Sequence, residues 1–149
     1  MMRGRCLCGA VTLEVRAATP LLSVCHCEMC RRWAGQAMMM FEAPAAAVTA
    51  MGPIRRYASS RFAERAFCAT CGSALWMRDT GEGAEDAVFE LLPGAFGAAA
   101  DFPIDHEIYA DRAWKAHGFA GDHPRITRAE YEAAHRFVPD GAAAGAAGE

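Results

Sequence analysis

The sequence predicts a small, mainly β protein with one or two short helices. Three features support this fold class: short segments that alternate between apolar and polar residues, turn-forming clusters between those segments, and a length of 149 residues. Alternation with a period of two is the pattern of half-buried strands. A chain of this length suffices for one domain with its own core, and many short strands separated by turns favour a sandwich or barrel-like arrangement.

The strand candidates are all short. The clearest covers residues 11–16, which read V-T-L-E-V-R and alternate strictly. Turns are predicted where glycine, proline and aspartate cluster, for example at Gly52-Pro53 and Pro93-Gly94. The other strand candidates are residues 38–41, 47–50, 54–57, 74–78, 87–92 and 107–110.

Two short helices are predicted. The first follows Cys27 and continues to about residues 32–34, where Gly35 is placed to end it. The second begins at Thr127, because Thr127 and Glu130 match the capping box, in which a hydroxyl and a carboxylate satisfy free backbone N–H groups. The apolar face of this helix would consist of Tyr131, Ala134, His135 and Val138.

The end of the sequence differs in composition from the rest. Residues 139–149 read P-D-G-A-A-A-G-A-A-G-E and offer no large apolar side chain to bury. We therefore expect this tail to be disordered. The predicted organisation is one domain over residues 1–138, followed by a disordered tail over residues 139–149.

The charge and hydropathy of the chain argue against two classes of partner. The formal net charge of −3 disfavours nucleic acid, since phosphate binding needs a basic face. The start lacks the apolar run of about 7–15 residues that a secretory signal needs, and no apolar stretch approaches the roughly 18–20 residues of a membrane span. We expect a cytoplasmic protein that binds neither nucleic acid nor membranes; the oligomeric state is left open.

This chain lacks the residues that several classes of enzyme require. The sequence contains no asparagine, so a Cys-His-Asn triad cannot be built, and Lys115 is the only lysine. There is no G-x-S-x-G elbow, no phosphate-binding loop and no H-E-x-x-H motif. The chemistry of the chain must therefore come from other residues, and the cysteines are the most conspicuous.

The seven cysteines fall in three tight groups, C-x-C, C-x-C-x-x-C and C-x-x-C, and none is isolated. In a reducing compartment, such clusters bind metal more often than they form disulfides. The first and last groups each end in a glycine, Gly9 and Gly72, which permits a tight turn around an ion. Together these two groups would complete a closed, structural zinc site of four thiolates, formed by Cys6, Cys8, Cys68 and Cys71.

The middle group consists of Cys25, Cys27 and Cys30. Three protein ligands with a free fourth position are the catalytic arrangement of zinc. His26 could be a fourth ligand, but on extended chain its side chain should point away from its cysteine neighbours. Two alternatives stay open: a second structural site closed by His106 or His117, and a disulfide-redox role for the C-x-x-C pairs.

The cysteine groups also occur in an ordered set of motifs. These read G-R-C-L-C-G-A-V-T-L-E, V-C-H-C-E-M-C-R-R-W-A-G, Y-A-S-S and R-A-F-C-A-T-C-G-S-A-L-W. The set resembles the glutathione-dependent formaldehyde-activating enzyme (GFA) family, also called the centromere-protein-V-like family, from about Arg5 to Trp114. The resemblance implies a zinc-binding β-tent of short antiparallel strands and two zinc ions per chain.

The resemblance also implies which residues bind each ion. It assigns Cys6, Cys8, Cys68 and Cys71 to the structural zinc, and Cys25, Cys27 and Cys30 to the catalytic one, in agreement with the pairing argued from spacing. The implied reaction is carbon–sulfur bond chemistry, in which glutathione adds to formaldehyde to give S-hydroxymethylglutathione.

Two functional hypotheses follow. In the first, the chain is a zinc-dependent carbon–sulfur lyase-type enzyme that acts on adducts of glutathione with an aldehyde such as formaldehyde. Zinc with three thiolate ligands is a weaker Lewis acid than zinc with three histidines, so thiolate delivery is favoured over water activation. Arg31, Arg32 and Trp33 are candidates to contact an anionic substrate, and the alternative is that the arginines are only exposed and the tryptophan belongs to the core. In the second, the chain is a non-catalytic thiol carrier or protein-interaction module.

Overall fold

The computed structural model describes residues 1–81, 84 and 87–135 of the chain. The described residues form eleven β-strands, two α-helices and several 3₁₀ turns, so the prediction of a mainly β fold is confirmed. Two compact units are present: one comprises Met1–Pro20 and Met40–Asp101, and the other comprises Leu21–Met39 and the chain from Phe102. The predicted boundary at residue 138 and the tail lie outside the described residues. No helix among the described residues has the length and apolar character needed to cross a membrane.

The first unit contains an antiparallel three-stranded sheet. It is formed by β1 (Met2–Arg5), β2 (Thr12–Val15) and β5 (Val48–Met51), with β2 in the centre. Leu13 and Val15 of β2 are fully buried, whereas Thr12 between the apolar positions is exposed. The strict alternation in the sequence thus corresponds to a strand with one buried face. The predicted strand at 11–16 is confirmed.

The first unit also contains an antiparallel ladder in which neighbouring strands follow the order β4, β9, β8, β7 and β6. Edge-to-face aromatic contacts hold its apolar side, with ring centroids 5.2 Å apart both for Phe41 and Phe96 and for Trp76 and Phe89. The strand bounds are β4 (Met38–Ala43), β6 (Ile54–Ala58), β7 (Ala63–Cys68), β8 (Ala74–Asp79) and β9 (Phe89–Leu91).

The second unit contains three strands that run parallel: β3 (Leu22–Cys25), β10 (Ile104–Ile108) and β11 (Arg125–Ile126). β10 lies between the other two and pairs with both of them. The expectation of antiparallel strands therefore does not extend to these pairs. Parallel pairs require long crossover connections, and most of the first unit lies between β3 and β10 along the chain.

Both predicted helices are present. α1 spans Glu28–Ala34, with Cys27 at its N-cap and Gly35 at its C-cap in the left-handed conformation at φ 78°. α2 spans Arg128–Ala134 and begins with the complete capping box of Thr127 and Glu130. The apolar face expected for this helix is not buried: Ala134 and His135 are exposed and Tyr131 is half-buried, because the helix ends at Ala134 and His135 is its C-cap. The Tyr131 ring stacks on that of His135 with centroids 4.1 Å apart, and Val138 lies outside the described residues.

Some strand predictions were incomplete. β1, β3, β7 and β11 were not anticipated. β1, β3 and β11 have only two to four residues, too few for a clear alternating pattern, and the A-E-R-A-F-C of β7 does not alternate. The segment predicted at 107–110 forms part of a strand that begins earlier and ends at Ile108. The strand ends there because Tyr109 takes up the left-handed conformation at φ 55° and begins a 3₁₀ turn.

Candidate metal centres

Four cysteines of the first unit converge on one point. The sulfur atoms of Cys6, Cys8, Cys68 and Cys71 all lie within 4.8 Å of one another. Cys6 directly follows β1, and Cys68 is the last residue of β7, so two strand ends carry the turns that complete the cluster. Both expected turn glycines are left-handed, Gly9 at φ 79° and Gly72 at φ 75°. The structure thus brings together the four residues that the spacing paired.

Backbone and hydroxyl groups surround these sulfurs with hydrogen-bond donors. The N–H of Val11 donates to Cys6 Sγ at 3.2 Å, and the N–H of Thr70 donates to Cys68 Sγ at 3.4 Å. Ser73 Oγ lies 3.2 Å from Cys71 Sγ, and hydrogen bonds from Ser73 lower the pKa of Cys71 to about 5. Donors of this kind stabilise thiolates, which are the form that binds a metal.

The four thiols nevertheless oppose one another's ionisation. The N–H of Ala10 lowers the pKa of Cys8, but the neighbouring cysteine sulfurs and burial outweigh it and raise the pKa to about 11. Several thiolates within 4.8 Å need a cation to offset their repulsion. A closed set of four sulfurs fits zinc, which favours tetrahedral thiolate coordination.

Three cysteines of the second unit form a separate cluster. The sulfur atoms of Cys25, Cys27 and Cys30 lie within 4.8 Å of one another. Cys25 ends β3, Cys27 caps α1 and Cys30 lies in the first turn of that helix. Contacts with the Cys27 and Cys30 sulfurs, together with burial, raise the pKa of Cys25 well above its ordinary value. A bound dication would remove this penalty, so the residues fit a metal ion.

None of the three candidate histidines joins this cluster in the described part of the chain. His26 turns its Nε2 to Glu107, His106 places Nδ1 2.7 Å from an Asp105 oxygen, and His117 stacks between Trp114 and Phe119. Within the described residues, no other cysteine, histidine or carboxylate belongs to the group of three sulfurs. The donor set is therefore three thiols. All seven cysteines lie in the described part of the chain, and none of them forms a disulfide.

A buried cluster of polar side chains lies beside the three-cysteine site. Glu107 Oε2 lies 2.6 Å from His26 Nε2, and Glu107 Oε1 lies 2.7 Å from His123 Nε2. Arg125 Nε lies 3.6 Å from the same Oε1. Burial alone would raise the pKa of Glu107, but hydrogen bonds from His123 and His26 outweigh it and lower the pKa below 4.5. Sequence reasoning missed this cluster because no local pattern links residues so far apart.

The two arginines after the cysteines have different surroundings. Arg32 forms an ion pair with Glu28 at 2.6 Å, one helical turn earlier. Arg31 donates from Nη1 to the Arg112 carbonyl at 2.9 Å, and its guanidinium lies 5.6 Å from the centre of the Trp114 ring. Within the described residues, no carboxylate pairs with Arg31. Of the two, Arg31 is the cation available to an anionic ligand.

Comparisons with known proteins identify relatives of this chain. The chain is 42% identical over 78 residues to an uncharacterized lyase of Schizosaccharomyces pombe, a match that covers 52% of this chain and 57% of that protein. A crystal structure of a Rhodobacter sphaeroides protein shares the fold, with a TM-score of 0.54 and 19% identity over 84% of this chain and all of that one. The family profile of the glutathione-dependent formaldehyde-activating enzyme matches residues 1–112, and the chain belongs to this family.

Proposed function

We propose that the chain is a zinc-dependent carbon–sulfur lyase-type enzyme that acts on adducts of a small thiol with an aldehyde. Glutathione and formaldehyde are the foremost pair, since the family description names both. The convergence of Cys25, Cys27 and Cys30, with no fourth protein donor among the described residues, is the observation that carries the proposal. The S. pombe relative is named as a lyase, which supports the reaction class.

The two cysteine clusters would have different roles. Cys6, Cys8, Cys68 and Cys71 would hold a structural zinc, because four sulfurs leave no position for a substrate. The three-cysteine cluster would hold a second zinc. Cys25, Cys27 and Cys30 would hold this ion with one coordination position left for a ligand, and zinc bound there would supply the positive charge that lowers the pKa of a substrate thiol.

The reaction is balanced without a further reactant. The thiol sulfur bonds to the carbonyl carbon, the C=O π electrons move to oxygen, and the thiol proton ends on that oxygen to give the hydroxymethyl thioether. The lyase direction reverses each of these changes. The chain contributes by holding the two reactants together, which replaces a bimolecular encounter with reaction between bound groups.

Arg31 would orient the thiol substrate through a carboxylate. Its guanidinium is held by the Arg112 carbonyl and by the Trp114 ring, so little side-chain freedom is lost when an anion binds. Arg31 follows Cys30 in α1, so its side chain extends from the same short helix that carries one of the three sulfurs. Glutathione carries carboxylates at a distance from its sulfur and suits such a contact.

The deciding experiment measures adduct formation from glutathione and formaldehyde with and without zinc-loaded protein. The addition also proceeds without a catalyst, so the enzyme must exceed that background rate. We expect wild type to do so and Cys27→Ser to fall to the background. Thiol binding in calorimetry without acceleration would instead identify a carrier, and no thiol binding by the fully zinc-loaded protein would exclude both functions.

A further inference from the structure

His26, the residue between Cys25 and Cys27, anchors the segment that carries these two clustered cysteines. His26 separates Cys25 from Cys27, and its side chain is fully excluded from solvent. Its Nε2 lies 2.6 Å from Glu107 Oε2, and its backbone N–H donates to the Ile108 carbonyl at 3.0 Å. Both the main chain and the side chain of His26 are thus tied to β10 and the residues in it.

Glu107 is itself held from several directions. It lies opposite Val24 in the parallel pairing of β3 with β10, and its N–H donates to the Pro124 carbonyl at 2.9 Å. Its second carboxylate oxygen lies 2.7 Å from His123 Nε2. The carboxylate therefore joins the end of β3 to the segment before β11, and each of its oxygens contacts an imidazole.

Because both residues are buried, the contact between His26 and Glu107 fixes the position of the His26 side chain. The Glu107 side chain is 1% exposed and that of His26 is 0% exposed, so water cannot replace either partner. Leaving a buried polar group unpaired costs more than a hydrogen bond usually contributes, which penalises any displacement of His26 from Glu107. By contrast, the Asp105–His106 pair on the same strand has a 2.7 Å contact but lies open to solvent, where such pairs contribute little.

We propose that Glu107 is a positioning residue of the three-cysteine cluster: through His26 it sets the spacing of the Cys25 and Cys27 sulfurs and thereby the affinity of the cluster for zinc. The inference rests on the proposed metal-binding role of that cluster. Removal of a partner that orients metal ligands typically lowers metal affinity about 10–100-fold.

The test compares Glu107→Gln with Asp105→Asn in the full chain. Glutamine nearly preserves the shape but replaces one acceptor oxygen by an NH₂ donor, so it cannot accept from both imidazoles, which contact different oxygens of Glu107. Zinc affinity is measured by chelator competition, without thiol or aldehyde. A Cys30→Ser background reports the four-cysteine cluster alone. We expect Glu107→Gln to weaken the three-cysteine cluster about tenfold or more, with the four-cysteine zinc and the Asp105→Asn protein unchanged.

Cobalt substitution provides a second readout. The d–d absorption of cobalt in the three-cysteine cluster should change in Glu107→Gln, because it responds to ligand geometry. If that variant does not fold, His26→Gln and His26→Leu replace it. Glutamine can still donate an N–H to Glu107 and should retain most of the zinc affinity, whereas leucine has no donor and should lose it.

Each outcome decides the proposal. Unchanged zinc affinity in Glu107→Gln, or equal affinities in the two His26 variants, overturns it. Parallel weakening of both clusters with a lower melting temperature also overturns it, because the carboxylate would then support folding in general. A wild-type chain that binds only one zinc overturns this inference and the proposed function together. Zinc-loaded wild type that handles no thiol removes only the proposed function.

Discussion

The N–H of Cys30 donates to Sγ of Cys27 at 3.4 Å, so the side chain that caps α1 is also one of the three clustered sulfurs. Serine is a preferred N-cap residue, whereas alanine cannot cap. The two roles of Cys27 can therefore be separated by substitution.

We expect Cys27→Ser to leave the fold largely intact while it abolishes activity and second-site zinc. Cys27→Ala should lose the same metal and in addition about 1 kcal/mol of unfolding free energy, because the helix loses its cap. Both variants lack the three-cysteine zinc, so chemical denaturation of the two proteins with the four-cysteine zinc bound isolates the effect of the cap. Equal stability of the two variants would show that the sulfur contributes no cap.

The purified chain should carry two zinc ions that are held unequally. The four-cysteine cluster has a full set of sulfur ligands, whereas the three-cysteine cluster contributes one ligand fewer. Graded chelation should remove the three-cysteine zinc first, as followed by elemental analysis. A single tightly held zinc under zinc-replete conditions would contradict the open second site.

Cys68→Ser should be far more damaging than Cys30→Ser. Cys68 is fully buried at the end of β7, and the zinc it would bind ties β7 to the end of β1. Binding energy at a closed site of this kind is part of the folding energy. We expect insoluble or molten protein, monitored by near-ultraviolet circular dichroism and dye binding. Thermal melts in the opposite order would refute the division of the two clusters.

Arg31→Ala should raise the KM for glutathione about tenfold with a smaller change in kcat, a difference of about 1.4 kcal/mol in binding. Arg32→Ala is the matched control, since Arg32 is engaged by Glu28 and should change KM little. Arg31→Lys should recover part of the affinity, because it retains the charge without the planar group that lies over Trp114. Equal effects of the two alanine variants would argue against a specific contact.

The lowered pKa of Glu107 predicts a pH dependence of stability. Because the pKa of Glu107 in the folded chain is lower than its ordinary value, its ionisation stabilises the fold above the ordinary pKa, and this contribution is lost as the pH falls through the lowered pKa. The difference in unfolding free energy between wild type and Glu107→Gln should be largest near neutral pH and shrink in acid. Acid also releases zinc from cysteine ligands, and the Asp105→Asn variant shares that effect, so it serves as the control. A difference that is independent of pH would contradict the assignment.

Much of the candidate site could be predicted because its signals are local. The C-x-C and C-x-x-C spacings with Gly9 and Gly72 confine the sulfurs of each pair to a tight turn, and the grouping predicted from the chain matches the two groups of converging sulfurs. The capping box at Thr127 and the stop at Gly35 likewise depend on residues within one helical turn.

The sequence by itself determined the local cysteine groups, since turn geometry acts over a few residues, and the need for four sulfurs around one ion predicted that the first and last groups meet. The tertiary structure alone decided what holds the three-cysteine cluster in place. His26 and Glu107 are separated by 81 positions and meet only because β3 and β10 pair in parallel. Such pairing depends on the burial of whole strands and on the path of the intervening chain, and neither leaves a periodic signal near either residue.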